Sequence, residues 1–395
     1  MIDESILAAR CQGMGHSAIR EILKILSQPG MISLAGGMPA PEAFPLELIG
    51  ELSAMVLEKY GSGALQYSTT EGFAPLREQL AIYLEGLSVT VPPEQVLITS
   101  GSQGLLDGIG KILISPGDKV VVESPTYLGA IQAFAPYGPE YLEVETDSAG
   151  IIPEALEAIL ADNRVKFIYL VPTFQNPTGR TLTLQRRHQV AELLKKYNTL
   201  LVEDDPYSAL RFSGEPLPPI CSLAPELVVY AGTFSKVLAP GLRVGFCTAP
   251  EVIQKWLVMA KQGVDLHTST FNQALAAEYL AGGHLQAQLP KIIALYRPRQ
   301  QAMLAAMRKR FPDCLHWAEP AGGMFIWVEG PPGSDMEAVY HQAVKENVAF
   351  VPGQFFYARP GGGRHTLRLN FTVVDEPTIE RAIGLLGDIL ARELA

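Results

Sequence analysis

The sequence predicts an α/β protein, a mostly parallel sheet with one antiparallel strand flanked by helices, followed by a smaller α+β domain. Three observations predict it. Six apolar runs of strand length alternate with helical patterns between about residues 46 and 285, as in a sheet buried on both faces. The interval between Ala231 and Val244 is too short for a helical crossover, so the strand at Val244 is antiparallel to its predecessor or not adjacent to it. Beyond about residue 312 the pattern changes to strand, helix, strand, helix.

Taken in order, residues 1–45 read as an N-terminal arm that packs with the small domain and the substrate site. It holds a short amphipathic helix around Ser17–Ser27, then chain broken by Gly and Pro through Ala35-Gly-Gly-Met-Pro-Ala-Pro. Residues 46–285 form the large domain, with strands at Gln95–Thr99, Lys119–Glu123, Lys166–Val171, Thr199–Glu203, Leu227–Ala231 and Val244–Thr248. Residues 286–395 form the small domain, with strands Gly323–Glu329 and Thr366–Thr372 and helices Asp335–Asn347 and Glu376–Leu394.

A formal net charge of −10 argues against a general nucleic-acid or membrane-surface binder, because phosphate binding needs local positive charge. The four cysteines (Cys11, Cys221, Cys247 and Cys314) show no CxxC pair, and so suggest neither a zinc site nor a disulfide framework. No signal-peptide pattern and no apolar run of membrane-spanning length is present, and a cytoplasmic location is expected.

Lys236 carries the most information. It follows Leu227-Val-Val-Tyr-Ala-Gly-Thr-Phe-Ser, a strand end that feeds a turn of small residues, with Thr233 and Ser235 beside it and Arg243 further on. Lysine is ordinarily a solvated surface charge. Desolvation and a nearby cation both favour the neutral amine, the form that attacks a carbonyl carbon. Alone, the motif fits a Schiff-base lysine and a strand-capping lysine about equally.

Other weak signals fall at the same ends of the strands. Ser100-Gly-Ser-Gln-Gly104 opens a helix and suits a phosphate, although an ordinary turn explains it too. Tyr127 follows a strand end, where it is suited to stack on a planar ring or simply to fill core. Asn176 sits before Pro177 in a rigid turn whose peptide bond has a cis option. Asp204 ends a strand three residues before Tyr207, so that an acid and a phenol can serve one aromatic ring, at the edge where open α/β sheets bind ligands. Jointly these features describe a binding site for pyridoxal 5′-phosphate (PLP).

With these residues the chain closely resembles the class I/II aminotransferases of PLP fold type I, over nearly its whole length. Within them it is most similar to the 2-aminoadipate and kynurenine/2-aminoadipate branch. The resemblance rests on Ile32-Ser-Leu-Ala-Gly-Gly-Met-Pro, Leu65-Gln-Tyr-Ser-Thr-Thr-Glu-Gly, Phe174-Gln-Asn-Pro-Thr-Gly, Val202-Glu-Asp-Asp-Pro-Tyr, Thr233-Phe-Ser-Lys-Val-Leu-Ala-Pro-Gly-Leu-Arg and Thr366-Leu-Arg-Leu-Asn-Phe.

The resemblance implies a ping-pong aminotransferase and assigns roles. Lys236 would bond the cofactor aldehyde, and Asp204 would pair with its ring nitrogen. Tyr207 and Asn176 would hydrogen-bond the ring oxygen, and Tyr127 would stack on the ring. Ser102, Gln103, Thr233, Ser235 and Arg243 would hold the phosphate. Tyr67 would reach the phosphate of a second subunit, implying a homodimer with shared sites. Arg368 would bind the substrate α-carboxylate, with Asn176 and Gly37 beside the substrate and Arg20 reaching a distal carboxylate or ring. The substrates implied are an L-amino acid (2-aminoadipate, glutamate, aromatic or long aliphatic) and a 2-oxo acid such as 2-oxoglutarate. A lyase or racemase on the same fold is the competing expectation. A non-catalytic sensor domain is a more remote one, because no basic helix-turn-helix precedes the pattern that starts near residue 15.

Overall fold

The computed structural model describes residues 3–14 and 30–394. The expected helix at Ser17–Ser27, and Arg20 within it, lie outside the described residues. A seven-stranded sheet dominates. In chain order its strands are β1 (Val96–Thr99), β2 (Lys119–Glu123), β3 (Glu140–Val144), β4 (Val165–Leu170), β5 (Leu200–Asp204), β6 (Val228–Thr233) and β7 (Gly245–Thr248). Their spatial order is β1-β7-β6-β5-β4-β2-β3. Strand β7 runs antiparallel to both neighbours, β1 and β6, and the remaining pairings are parallel. The short connection after Ala231 therefore does what its length requires.

Strand β3 was absent from the sequence expectation. Its residues Glu-Tyr-Leu-Glu-Val alternate between exposed or half-buried and buried, as an edge strand covered on one face must. A search tuned to continuous apolar runs passes over that pattern. The central strands are different: Val120, Val121 and Val122 are all buried, as are Leu201 and Val202. Alternate residues feed separate cores on the two faces, Val202 and Val229 in one and Leu201 and Val228 in the other. Each such side chain contributes roughly 1.5–3 kcal/mol on burial.

The C-terminal part builds a four-stranded antiparallel sheet from β8 (His316–Trp317), β9 (Phe325–Glu329), β10 (Val351–Pro352) and β11 (Thr366–Asn370), ordered β8-β9-β11-β10. The two-residue strands β8 and β10 are too short to leave a periodic signature. The 27-residue helix α1 (His284–Arg310) runs unbroken through residue 286 and packs against α2 (Glu376–Glu393). Residues 30–40 are stitched to this part of the molecule. Ile32–Ser33 pairs with Val348–Ala349, and the Asn370 N–H donates to the Leu34 carbonyl at 2.7 Å. That stitching carries Gly36 and Gly37 over the carboxyl edge of the large sheet. Among the described residues, no helix is long and apolar enough to cross a membrane.

Candidate active site

A cavity of about 360 Å³ opens at the carboxyl edge of the parallel strands. Its lining brings together Lys236, Asp204, Tyr207, Asn176 and Tyr127 with Ser102, Gln103, Thr233, Ser235 and Arg243, and also Arg368 and Gly37. Twelve positions scattered from 37 to 368 thus meet in one space. Tyr67 does not join them: its side chain is 80% exposed and lies edge-on to His267 on a separate surface groove.

Strand β6 delivers Thr233, and the following turn presents Ser235 and Lys236. The Thr233 hydroxyl donates to Ser235 Oγ at 2.9 Å and accepts from the Ser235 N–H at 3.1 Å, which fixes the turn. Lys236 Nζ donates to the Gly37 carbonyl at 2.8 Å. Burial lowers its pKa to about 8, helped by the Arg368 and Arg243 cations and opposed by Asp204.

One corner of the cavity is built on the helix Gly101–Leu113, whose N-cap Ser100 makes no side-chain cap. Arg243 takes a left-handed backbone conformation and donates to the Pro240 and Ser100 carbonyls. A Cβ on Gly101 would lie 2.4 Å from Arg243 Nη2, so only glycine lets the guanidinium approach this helix start. Ser102 Oγ is buried here with no partner.

Strand β5 ends in Asp204. Its Oδ2 accepts from the Tyr169 hydroxyl at 2.8 Å, while Oδ1 is buried with no partner. Burial raises the carboxyl to about 7, partly offset by the Tyr169 hydrogen bond. The Asn176–Pro177 peptide bond is cis. Asn176 Nδ2 donates to the Tyr207 oxygen at 3.4 Å, and its Oδ1 accepts from Arg368 Nη1 at 2.7 Å. Burial holds the Tyr207 phenol well above its usual range.

Arg368 is fully surrounded. Its Nη2 donates to the Ala35 carbonyl at 2.5 Å, and its guanidinium carbon lies 4.2 Å from the Phe325 ring centre and 4.9 Å from that of Phe356. Nε has no partner, and burial lowers the pKa only to about 10, so the charge persists at neutral pH. Sequence reasoning missed Tyr169, Phe325 and Phe356. The available signal was a phenol inside the aliphatic run of β4, since a buried hydroxyl needs a partner; the two phenylalanines look like ordinary core.

The donor set fits PLP. Three buried polar atoms on residues of the lining, Asp204 Oδ1, Ser102 Oγ and Arg368 Nε, lack partners: an acceptor, a hydroxyl and a donor of the kinds that a protonated ring nitrogen, a phosphate and a carboxylate need. Among the described residues no group of His, Cys, Asp and Glu is placed to hold a metal.

Comparison with known proteins agrees. Residues 48–386 match the family model for aminotransferase class I and II. The chain is 46% identical to aromatic-amino-acid aminotransferase 1 of Thermococcus litoralis, covering 99% of this chain and 95% of that one. It is 45% identical to the 2-aminoadipate transaminase of Thermus thermophilus, covering 96% and 95%. The crystal structure of Pyrococcus horikoshii kynurenine aminotransferase in complex with PMP superposes with a TM-score of 0.95 at 43% identity, covering 99% and 98%. The chain belongs to the class I and II aminotransferases, and it is a PLP-dependent transaminase.

Proposed function

We propose that this aminotransferase moves the amino group of an L-amino acid with an aromatic, long aliphatic or 2-aminoadipate-like side chain to a 2-oxo acid such as 2-oxoglutarate, by a ping-pong cycle in the cytoplasm. The observation that carries the reading is the set of unpartnered buried atoms, Asp204 Oδ1, Ser102 Oγ and Arg368 Nε, on residues that line one cavity with Lys236. When bound, PLP supplies the carbonyl that takes up the amino group and a ring that accepts charge leaving the substrate Cα.

The chain's own residues do the rest. Arg368 forks onto the substrate α-carboxylate, its plane held by two phenyl faces. Lys236 Nζ, whose pKa is lowered to about 8, takes the proton from the substrate Cα and would deliver it to the cofactor's C4′ carbon. With the cofactor bound, Asp204 would keep a proton on the ring nitrogen, Tyr207 and Asn176 would hydrogen-bond the ring oxygen, Tyr127 would cover the ring, and Ser102, Gln103, Thr233, Ser235 and Arg243 would hold the phosphate.

Met38, Leu128, Val351 and Phe356 give the cavity an apolar wall, which suits aromatic and aliphatic side chains. Among the described residues, the charged groups lining it are Asp204, Lys236, Arg243 and Arg368, each already assigned. A distal carboxylate or ring is assigned to Arg20, outside the described residues, on the family resemblance alone. Tyr67 and Leu65, 80% and 71% exposed, support a homodimer in which Tyr67 reaches the second subunit's phosphate. The arm (1–45), large (46–285) and small (286–395) units are part of the same proposal.

Incubating the PLP-loaded protein with each amino acid alone tests the reaction. A stoichiometric, single-turnover release of 2-oxo acid is expected, with turnover restored by 2-oxoglutarate. Catalytic release without an acceptor would mean a lyase, and loss of optical activity a racemase. A donor panel then ranks 2-aminoadipate, kynurenine, aromatic and branched-chain substrates.

A further inference from the structure

Resting on that reading of Asp204, we infer that Tyr169 is the positioning residue that orients the Asp204 carboxylate and strengthens its hold on the cofactor's ring nitrogen. Tyr169 lies in the middle of the sheet, fully buried in β4, which pairs directly with β5. Its ring is fixed edge-on against Phe134 at 6.0 Å, within the same core as Val202 and Phe167. The phenol has one proton to give, and Asp204 Oδ2 receives it at 2.8 Å. With Oδ2 engaged, Oδ1 is left buried and without a protein partner, on a residue that lines the cavity. The carboxylate is thus clamped in one rotation, with one oxygen on the protein and one left over for a ligand.

The clamp also sets charge. Burial and the adjacent Asp204 carboxylate hold the Tyr169 phenol far above its usual pKa, so Tyr169 stays a donor at every working pH. A donor to the ionised form favours that form, against the burial that would otherwise neutralise Asp204. Tyr169 therefore keeps Asp204 anionic when the ring nitrogen brings its proton. Hydrogen bonds to charged groups support an effect on the order of tenfold in affinity.

The test compares PLP with its deaza analogue, which carries C–H in place of the ring nitrogen, by binding to cofactor-free protein. Wild type should bind PLP more tightly than the analogue. Tyr169→Phe should lose about tenfold in PLP affinity and almost none for the analogue, whereas a merely structural role would weaken both alike. Placing 3,5-difluorotyrosine at position 169 keeps the shape and strengthens the donor, and it should widen the PLP preference; this arm stands even if Tyr169→Phe folds poorly. If wild type shows no preference for PLP, the assignment of Asp204 to the ring nitrogen falls, and this inference with it. If wild type discriminates but neither substitution changes the ratio, the inference alone is overturned.

Discussion

Glu203 and Asp204 are neighbours on β5 and point to opposite faces of the sheet. Both are buried, and burial raises both carboxyls to about 7. Proton affinity does not tell them apart; hydrogen bonding does. Glu203 accepts from the Ile220 and Cys221 N–H groups at 2.9 and 2.8 Å and faces Arg187 at 4.0 Å. Arg187 in turn donates to the Leu182, Pro218 and Pro172 carbonyls and to the Thr173 hydroxyl. That face is closed by the fold itself. Asp204 has one phenol and one empty oxygen. An acid satisfied by its own chain holds structure, and an acid left short holds a ligand.

The sharpest way to break this comparison starts at the amine that shares the cavity with Asp204. Lys236→Ala should cut turnover by about 10⁴-fold while leaving the fold intact, and borohydride reduction of the wild type followed by peptide mapping should place the pyridoxyl label on Lys236. A label elsewhere, or turnover that survives the substitution, would remove the reading of this face as the catalytic one.

Next comes Asp204→Asn. The raised pKa means the folded, cofactor-free protein binds this proton more tightly than the unfolded chain does. Its stability on this account is intact below about pH 4 and is lost as pH rises to about 7. The variant should therefore be the more stable apoprotein at pH 8, by up to roughly 4 kcal/mol, with the gap closing toward pH 4. PLP affinity should fall at the same time. Urea midpoints at the two pH values would check it, and a less stable variant at pH 8 would contradict the idea of an acid left unpaired.

Glu203→Gln should behave in the opposite way. An amide cannot accept from both backbone N–H groups and leaves Arg187 as an unmatched buried cation, which costs about 3 kcal/mol of stability. PLP affinity per folded molecule should not change. If that affinity fell as far as in Asp204→Asn, the two faces would not be independent.

The mildest effect should come from Arg368→Lys, the cationic counterpart of Asp204: a buried charge with no carboxylate partner among the described residues. A lysine keeps charge but not the fork or the stacking on Phe325 and Phe356. KM for the amino donor should rise by about 10- to 100-fold, more than kcat falls. An unchanged KM would move the carboxylate site elsewhere.

Much of this was legible in the chain. Asp204 ends a strand and Asn176, Ser102 and Lys236 each follow one, and parallel strands bring their carboxyl ends to one edge, so local sequence already places them together. The short step from Ala231 to Val244 likewise left β7 either antiparallel to β6 or not adjacent to it, and it is antiparallel. Other features were hidden. The edge strand Glu140–Val144 is half polar because one face meets solvent, and nothing in Phe325 or Phe356 says that their rings will enclose a guanidinium.

By itself, then, the sequence determined the order of the buried central strands and the chemistry carried at their ends, because those depend on neighbours a few residues away. Only the tertiary structure decided which buried polar groups were left without partners. That outcome depends on contacts between residues far apart in the chain, such as Tyr169 with Asp204 and Arg368 with Ala35. Sheet register and packing fix those contacts, and no local pattern encodes them.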